Sequence, residues 1–511
     1  MNSFLSQGIS CTERLLRGLL ASVLCLLPLV SQEGIAATMT TEIPASITIP
    51  DEMETRLGAL KFDDGRPDKA TAAMLYDNLD FQNGVQAFLN TNRAASMVAM
   101  KRGLISQGAD NQTFILFEQL TDSRSLLLGA NTDTVYALLW LDTRDGPIVI
   151  EAPPNILGLD NDAWQRYVGD MGNAGPDRGK GGKYLLLPPG YDGPVPDGYY
   201  PLRSRTYGNW AGGRAFTVAG DPKPAVDQIK AYFRVYPLDQ ADNPPETKFI
   251  NASGNDFNTI FANDFSYFEE INDVVQSEPL EAVDPEIRGL LASIGIRKGI
   301  PFAPDARMKR ILTEAALVGT ATARTIFYET RLTDNYYYPD SDWRITFPGG
   351  RWDFSPGGIL DTEARTMNFT CCTAVSPAMS IEMVGIGSQY AIASHDAGKN
   401  LLDGGKNYSL NLPAGIPAKN FWSLVVYDSQ TRSYLQTDQR LPSIGSQRPE
   451  LVVNPDTSVN LYFGPEPPPG KETNWVQTVP GKGWWIMLRL YGPLESWFDQ
   501  TWKPGEIEEI R

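Results

Sequence analysis

The sequence predicts a mainly β protein with a helical segment, in the order β domain, helical middle, β domain. Three observations carry this prediction. Short apolar runs bounded by Gly, Pro, Asp and Asn fill residues 109–221 and return from 343 to 511. Between them, residues 222–342 carry apolar positions at three- and four-residue steps. The length of 511 residues also exceeds what one core serves, so several domains are expected. The composition, 42% hydrophobic and 21% charged, is that of an ordinary globular chain.

The N-terminus predicts export. Arg14 and Arg17 precede "GLLASVLCLLPLV" (18–30), and the small residues of "GIAAT" (34–38) follow. A basic start, a short apolar stretch and small residues at the exit define a secretory signal peptide, here residues 1–37. Cleavage after Ala36 or Ala37 would leave a periplasmic or secreted protein. The segment removes two acids (Glu13, Glu33) and two bases (Arg14, Arg17), so the formal charge stays at −17. That excess of acid argues against nucleic acid and anionic membrane surfaces as partners. The mature chain has no run long enough for a membrane helix.

Residues 38–70 form a mixed, polar, turn-rich lead-in, and 71–108 read as a helical lead. In the first β domain, "TVYALLWLDT" and "GPIVIEAPP" flank "RDGP", which predicts a hairpin turning at Asp145 and Gly146. Such a hairpin separates Asp133 from Glu151 too widely for a catalytic pair. "GKGGK" (179–183) lacks the spacing and flanking elements of a phosphate loop. In the middle segment, "AVDQIKAYFRVYPL", "NDFSYFEEINDVVQS", "DPEIRGLLASIG" and "PDARMKRILTEAALVGTATARTIF" read as helices, with Asp264 as an N-cap. Beyond Trp343, "SQYAIAS", "NYSLNLP", "KNFWSLVVYD", "SVNLYFGP" and "GWWIMLRLYGP" read as strands spaced for a β-sandwich.

Cys11 and Cys25 leave with the signal, so only Cys371 and Cys372 remain, and stability must come from packed cores rather than a disulfide framework. "MNFTCCTAVSP" reads as a strand, whose adjacent side chains face opposite ways. That geometry favours two buried thiols, with a redox switch as the alternative.

His395 is the single histidine, which excludes His-rich zinc and iron sites. "GIGSQYA" lacks the second glycine of a nucleophile elbow, so His395 reads as a loop residue at a strand end. No cofactor or metal motif is present, and none is predicted. Asp396, Asn400 and Asp403 crowd one loop, where turn chemistry and an oxygen-only cation site are the two readings. Of Trp484 and Trp485, one should face the core and the other solvent.

"NTDTVY" (131–136) and "NPDTSV" (454–459) share Asn-X-Asp-Thr ahead of a strand. A pattern used twice suggests a turn closed by a side chain, with Asp133 as the closing residue of the first. At these positions the chain also resembles a bacterial two-domain family. "GANTDTVYALLWLDTRDGPIVIEAPP" and "GGKYLLLPPGYDG" are similar to domain of unknown function 1254. "LDTEARTMNF", "YSLNLPAGIPAKNFWSLVVYDSQTRSYL", "NPDTSVNLYFGPEPPPGKETNWVQT" and "GWWIMLRLYGPLESWFDQTWKPGEIE" are similar to its partner, domain 1214. The resemblance implies an N-terminal immunoglobulin-like sandwich (109–221), the helical segment (222–342) and a C-terminal jelly-roll-like sandwich (343–511), with no settled reaction. "TCCTAVSP" departs from the small residues of the family there.

The resemblance puts weight on Asn131, Asp133, Thr134 and Tyr136 in the first domain. In the second it falls on Asp403, Tyr408, Trp422, Tyr427, Asp428, Asn454, Asp456, Asn474, Trp475 and Arg489. Among these, Asp133, Asp403 and Arg489 are the catalytic candidates. Asn131, Tyr136, Tyr408, Trp422, Asn474 and Trp475 are the ligand-binding candidates. Arg489 is a charge inside "WWIMLRLYG" and, buried there, must find a carboxylate or a ligand. Two functions fit. One is a metal-independent hydrolase or lyase of a carbohydrate or polyol-like substrate, using carboxylates between the β domains and the helical segment. The other is a non-enzymatic, envelope-associated module binding a glycan or a protein; as partners, a small-molecule or glycan ligand is the expectation. Two acids converging within about 5–10 Å would favour the first.

Overall fold

The computed structural model describes residues 41–510, so the signal-peptide prediction for 1–37 lies outside the described residues. They divide into two compact units, one ending at Ala72 and one beginning at Ala73. In the first, the lead-in folds into a three-stranded antiparallel sheet of Glu52–Thr55, Gly58–Asp63 and Arg66–Pro67.

The second unit is β-rich with helices, as predicted. Its first large sheet has six strands, in the order Lys248–Asn251, Thr113–Leu116, Thr134–Asp142, Gly208–Phe216, Ile156–Asp162, Tyr167–Gly172. A four-stranded sheet (Tyr199–Arg203, Gly182–Leu187, Ile148–Ala152, Arg234–Pro237) shares an apolar core with it, where Phe114, Val135, Leu139 and Ala211 meet Ile150, Tyr184, Leu186 and Val235. Toward the C-terminus, a five-stranded sheet orders Arg344–Ile345, Ser388–Ala393, Trp484–Pro493, Ala418–Asp428, Ser443–Gly445. Its Leu424, Ile486 and Leu488 share a core with Tyr408, Leu410, Leu461 and Phe463 of a four-stranded sheet.

Strand alternation leaves each large sheet a second apolar face. Tyr136, Leu138 and Trp140 lie on one, and Tyr390, Val425, Trp485 and Met487 on the other. Both join one cluster with the helices Lys69–Ser106, Ser266–Ser277 and Ala306–Tyr328. The helices thus cover what the β regions leave exposed, and several of the candidate residues sit where these two outer faces meet.

The four middle helices form at Lys223–Tyr232, Ser266–Ser277, Pro285–Ser293 and Ala306–Tyr328, the last capped by Asp305, which accepts from Met308 N at 2.7 Å. Asp264 closes an Asx turn, accepting from Ser266 N at 2.9 Å, one residue before the helix cap. The middle segment also contributes strands Arg234–Pro237 and Lys248–Asn251 to the first two sheets.

Three sequence readings need correction. "TVYALLWLDT" and "GPIVIEAPP" do not form a hairpin. Thr134–Asp142 pairs with Thr113–Leu116 and Gly208–Phe216, whereas Ile148–Ala152 pairs with Gly182–Leu187 and Arg234–Pro237. Both strands are buried on both faces and need a neighbour on each edge, so the Asp-Gly turn becomes a corner between sheets. "TEARTMNFTC" is a helix, Thr362–Cys371, with Asp361 accepting from Ala364 N at 2.8 Å. Its residues from Ala364 to Cys371 are all buried, so no polar face marks the helical period. Trp484 and Trp485 do face opposite ways, but both are buried, Trp484 between the C-terminal sheets and Trp485 against Phe327.

Close helix packing gives the first prediction. A Cβ on Gly319 would lie 2.6–2.8 Å from atoms of Phe88, whose ring is pinned 4.1 Å from that of Tyr267. Gly319→Ala gains about 1 kcal/mol of helix propensity against an overpacking cost of about 1–3 kcal/mol. The melting temperature should fall by several degrees, and an unchanged or higher value would contradict the packing.

Candidate functional site

The register of two strands builds the site. On the first large sheet Tyr136 lies opposite Arg214, and Arg214 opposite Leu157, with Leu138 and Gly212 one step along the same face. On the second, Arg489 lies between Tyr390 and Ser423, and Tyr491 between Ser388 and Phe421. The two faces enclose a cavity of about 60 Å³ walled by Leu128, Leu138, Leu157, Leu159, Trp210 and Met379, into which Tyr136, Tyr390, Arg214 and Arg489 project. No carboxylate lines it.

Arg489 is buried, and its Nη2 donates to the carbonyl oxygens of Gly129 and of Ala130 (3.1 Å) and to the Tyr427 hydroxyl (2.8 Å). Its guanidinium stands 5.2 Å from the centre of the Tyr390 ring, and its Nε has no partner among the described residues. Tyr427 in turn donates to the Ala130 carbonyl. Gly129 is required: its φ is +60°, and a Cβ would touch the Cα and Sγ of Cys372 at 3.1 Å. Arg214 lies 5.9 Å from the Tyr491 ring centre and forms no hydrogen bond or ion pair with the other described residues. The buried Tyr491 hydroxyl is likewise unpartnered.

"NTDTVY" borders this site, but its turn is closed by Asn131, not Asp133. Asn131 Oδ1 accepts from Asp133 N (2.8 Å) and Thr134 Oγ1 (2.9 Å), and its Nδ2 donates to the Tyr136 hydroxyl (2.8 Å). In the second copy it is Asp456 that accepts, from Ser458 N (3.0 Å) and Oγ (2.6 Å), so the shared pattern does not share its bonds. Asp133 Oδ2 is buried without a partner. Burial pushes its carboxyl up to about 6, and the Ser423 hydroxyl and Arg489 pull it back only in part.

The structure therefore brings Asn131, Asp133, Thr134, Tyr136, Tyr427 and Arg489 together, and it places the remaining candidates elsewhere. Tyr408 and Trp422 are core between the C-terminal sheets. Asn474 holds Val452 and Asn460 through backbone bonds of 2.7–2.9 Å, and Trp475 Nε1 donates to Gly464 O at 3.0 Å. Asp403 is exposed and accepts from Gly405 N (2.9 Å), Asp396 accepts from Asn400 N (2.9 Å), and Asp428 takes Gln430 N (2.7 Å) and Lys482 Nζ (2.6 Å). Asn454 Nδ2 donates to Ser458 Oγ at 2.9 Å. Sequence reasoning missed Arg214, Tyr390 and Tyr491. The signal for Arg214 was present in "GNWAGGRAF", where alternation sets a lone charge on the face of Trp210.

Cys371 ends its helix and Cys372 follows it, with their Sγ atoms 3.1 Å apart as buried free thiols. The opposed-face argument therefore fails, although the thiols are unbridged. His395 follows strand Ser388–Ala393, as predicted, but it is buried between Asp342 Oδ1 (3.0 Å from Nδ1) and Glu329 Oε1 (3.3 Å from Nε2). The Asp342 bond raises its pKa above 6.5.

Residues 111–237 match a family described as protein of unknown function (DUF1254), and residues 387–495 match another, protein of unknown function (DUF1214). No curated protein matches significantly. The crystal structure of the VPA0106 protein from Vibrio parahaemolyticus is similar at 15% identity and a TM-score of 0.53, over 84% of this chain and 100% of that one. A putative uncharacterized protein from Burkholderia cenocepacia aligns at 11% identity over 86% of this chain and 96% of that one, with a TM-score of 0.37, below the level of a shared fold.

Two predictions follow from the buried acids and His395. Folding favours the protonated form of Asp133, so its stabilising contribution is full below 3.8 and is lost as pH rises through about 6. Asp133→Asn should remove that slope and melt at or above the parent temperature at pH 7; a fall of several degrees there would show that the charge is needed. His395 shows the same pH direction for a different reason: folding favours its protonated, charged form, so its contribution is full below 6.5 and is lost as pH rises through the higher folded value. His395→Gln should remove the decline in thermal stability between 6.5 and the folded value, and an unchanged slope there would dissociate it from Asp342.

Proposed function

We propose that this chain, which joins a DUF1254 domain to a DUF1214 domain, is an exported protein binding a small carboxylate with a short apolar part between Arg214 and Arg489. The observation that carries the reading is the pair of guanidiniums in an apolar cavity with no lining carboxylate. Asp133 acts electrostatically on Arg489 and Asp170 on Arg214, yet neither carboxylate lines the cavity or bonds a guanidinium, and aromatic rings add only about 0.5–2 kcal/mol. A bound carboxylate supplies an acceptor inside the cavity in the planar geometry that guanidinium matches. Leucines and Trp210 receive the apolar part. Size narrows the class: an apolar cavity of about 150 Å³ accepts the six heavy atoms of benzene, so about 60 Å³ suits an acid of only one or two carbons.

The binding module is therefore favoured over a carbohydrate hydrolase or lyase. Carboxylate-based glycoside cleavage needs two acids about 5–9.5 Å apart across the scissile bond, and the lining supplies none. A site shared by two domains is where small ligands commonly sit. The shared cores of each sheet pair support an immunoglobulin-like sandwich followed by a jelly-roll-like one. Arg14, Arg17 and the apolar run at 18–30 support export to the periplasm or beyond.

The test is thermal shift and calorimetric titration with formate and acetate beside their neutral amides. The acids should raise the melting temperature and the amides should not. Arg214→Gln should weaken acid binding by at least about tenfold, or 1.4 kcal/mol. Amides that bind as well as acids, or acid affinity unchanged in Arg214→Gln, would overturn the reading.

A further inference from the structure

A second cavity, of about 330 Å³, lies beyond the chain segment 373–376, and arginines Arg93, Arg166, Arg203 and Arg205 line it. Not all of them are free. Arg166 is committed: Nε and Nη2 reach Asp162 Oδ2 at 2.8 Å, and Nη1 donates to Ala282 O at 2.6 Å. Asp353, the other lining acid, is neutralised by Arg351, with Nε to Oδ1 at 2.9 Å and Nη2 to Oδ2 at 2.5 Å. Both carboxylates of the cavity are thus matched. Arg93, Arg203 and Arg205 remain, and none of these guanidiniums makes a hydrogen bond or ion pair with the other described residues.

Arg93 is the informative one. It projects from the middle of the helix Lys69–Ser106, and its Nε is buried without a partner. Burial, with Arg365 and Arg166 nearby, lowers its pKa to about 9. A helix position next to the core Ala94 and Ala95 would accept an apolar residue more cheaply. Arg203 and Arg205 add two exposed charges at the mouth, in a chain whose net charge of −17 otherwise repels anions. The opposite wall is aromatic: Tyr167 and Trp352 have ring centroids 4.9 Å apart at 54°, with Phe354 and Phe369 beside them.

We propose that this cavity is a second binding site, selective for a phosphomonoester that carries a ring. Three unpaired guanidiniums exceed what one carboxylate can use, and they suit a dianion with three acceptor oxygens. The cavity is also several times larger than the one between Arg214 and Arg489, leaving room for a sugar or aromatic ring against Tyr167 and Trp352.

The experiment is calorimetric titration of the intact protein with inorganic phosphate, glucose 6-phosphate and glucose at about 0.15 M salt, where non-specific charge attraction is largely screened. Glucose 6-phosphate should bind at least about tenfold more tightly than phosphate, and glucose should not bind. The exposed double variant Arg203→Gln/Arg205→Gln should keep the parent melting temperature and lose at least about tenfold in affinity for glucose 6-phosphate. Arg93→Gln should lose more; if it does not fold, the double variant decides. Arg214→Gln should leave this affinity intact, separating the two sites. No binding of glucose 6-phosphate at about 10 mM, binding equal to that of glucose, or undiminished affinity in the double variant would overturn the proposal.

Discussion

Arg489 donates from the middle of a central strand to two consecutive carbonyl oxygens, those of Gly129 and Ala130, and the joining of the two β regions depends on it. Those carbonyls belong to the loop that leads into strand Thr134–Asp142 of the other sheet. No carboxylate bonds this buried guanidinium among the described residues, so it needs other acceptors, and backbone carbonyls can supply them only if the loop comes close. Gly129 permits the approach because any side chain would strike Cys372. Tyr427 adds a second donor to Ala130 and stacks on Trp485 at 4.2 Å, so the carbonyls, the arginine and the aromatic core fix one another. Asn131, next in the chain, then orients Tyr136 toward the cavity. Arg489 is therefore a structural tie through Nη2 and a cavity-lining charge at once.

Arg214 has no such tie. It lies half-buried on the facing sheet, opposite Tyr136 and 5.9 Å from the Tyr491 ring centre, and bonds to none of the other described residues. One arginine with carbonyl partners and one without is an asymmetric arrangement. Arg489 commits its Nη2 to two carbonyls and a hydroxyl, whereas the guanidinium of the half-buried Arg214 bonds to no other described residue and is the freer of the two.

How much of this was legible depends on how local its cause is. The helices at 69–106, 223–232, 266–277, 285–293 and 306–328 followed from apolar periodicity and Asp or Pro starts. Arg489 was legible because a charge inside a continuous apolar strand has no local explanation. The corner after Asp142 was not legible: "RDGP" satisfies the local hairpin rule, and only burial of both strands on both faces overrides it. The helix Thr362–Cys371 was hidden for a related reason, since an element buried all round shows no period. Asp133 looked like the turn closer because Asn and Asp are chemically interchangeable in that role. Which one closes the turn depends on Tyr136 and Arg489, and Arg489 is distant in sequence.

The two cavities remain distinct because polar side chains hold the wall between them. Asn161 grips Val375 in both directions, Nδ2 to the carbonyl and Oδ1 from the amide, each at 2.9 Å. Ser376 donates to Asp170 at 2.6 Å, and Gln165, with its amide oriented to satisfy both neighbours, accepts from Ala374 N (2.8 Å) and donates to Arg93 O (3.2 Å). Ala374 sits at φ +88°, a conformation that a non-glycine residue holds only when its surroundings impose it. The imposing groups all come from strands Ile156–Asp162 and Tyr167–Gly172 and the turn between them. Alternation on those strands sends Leu157 and Leu159 to the smaller cavity, while the turn sends Arg166 and Tyr167 to the larger. One hairpin therefore lines both cavities and pins the segment that divides them.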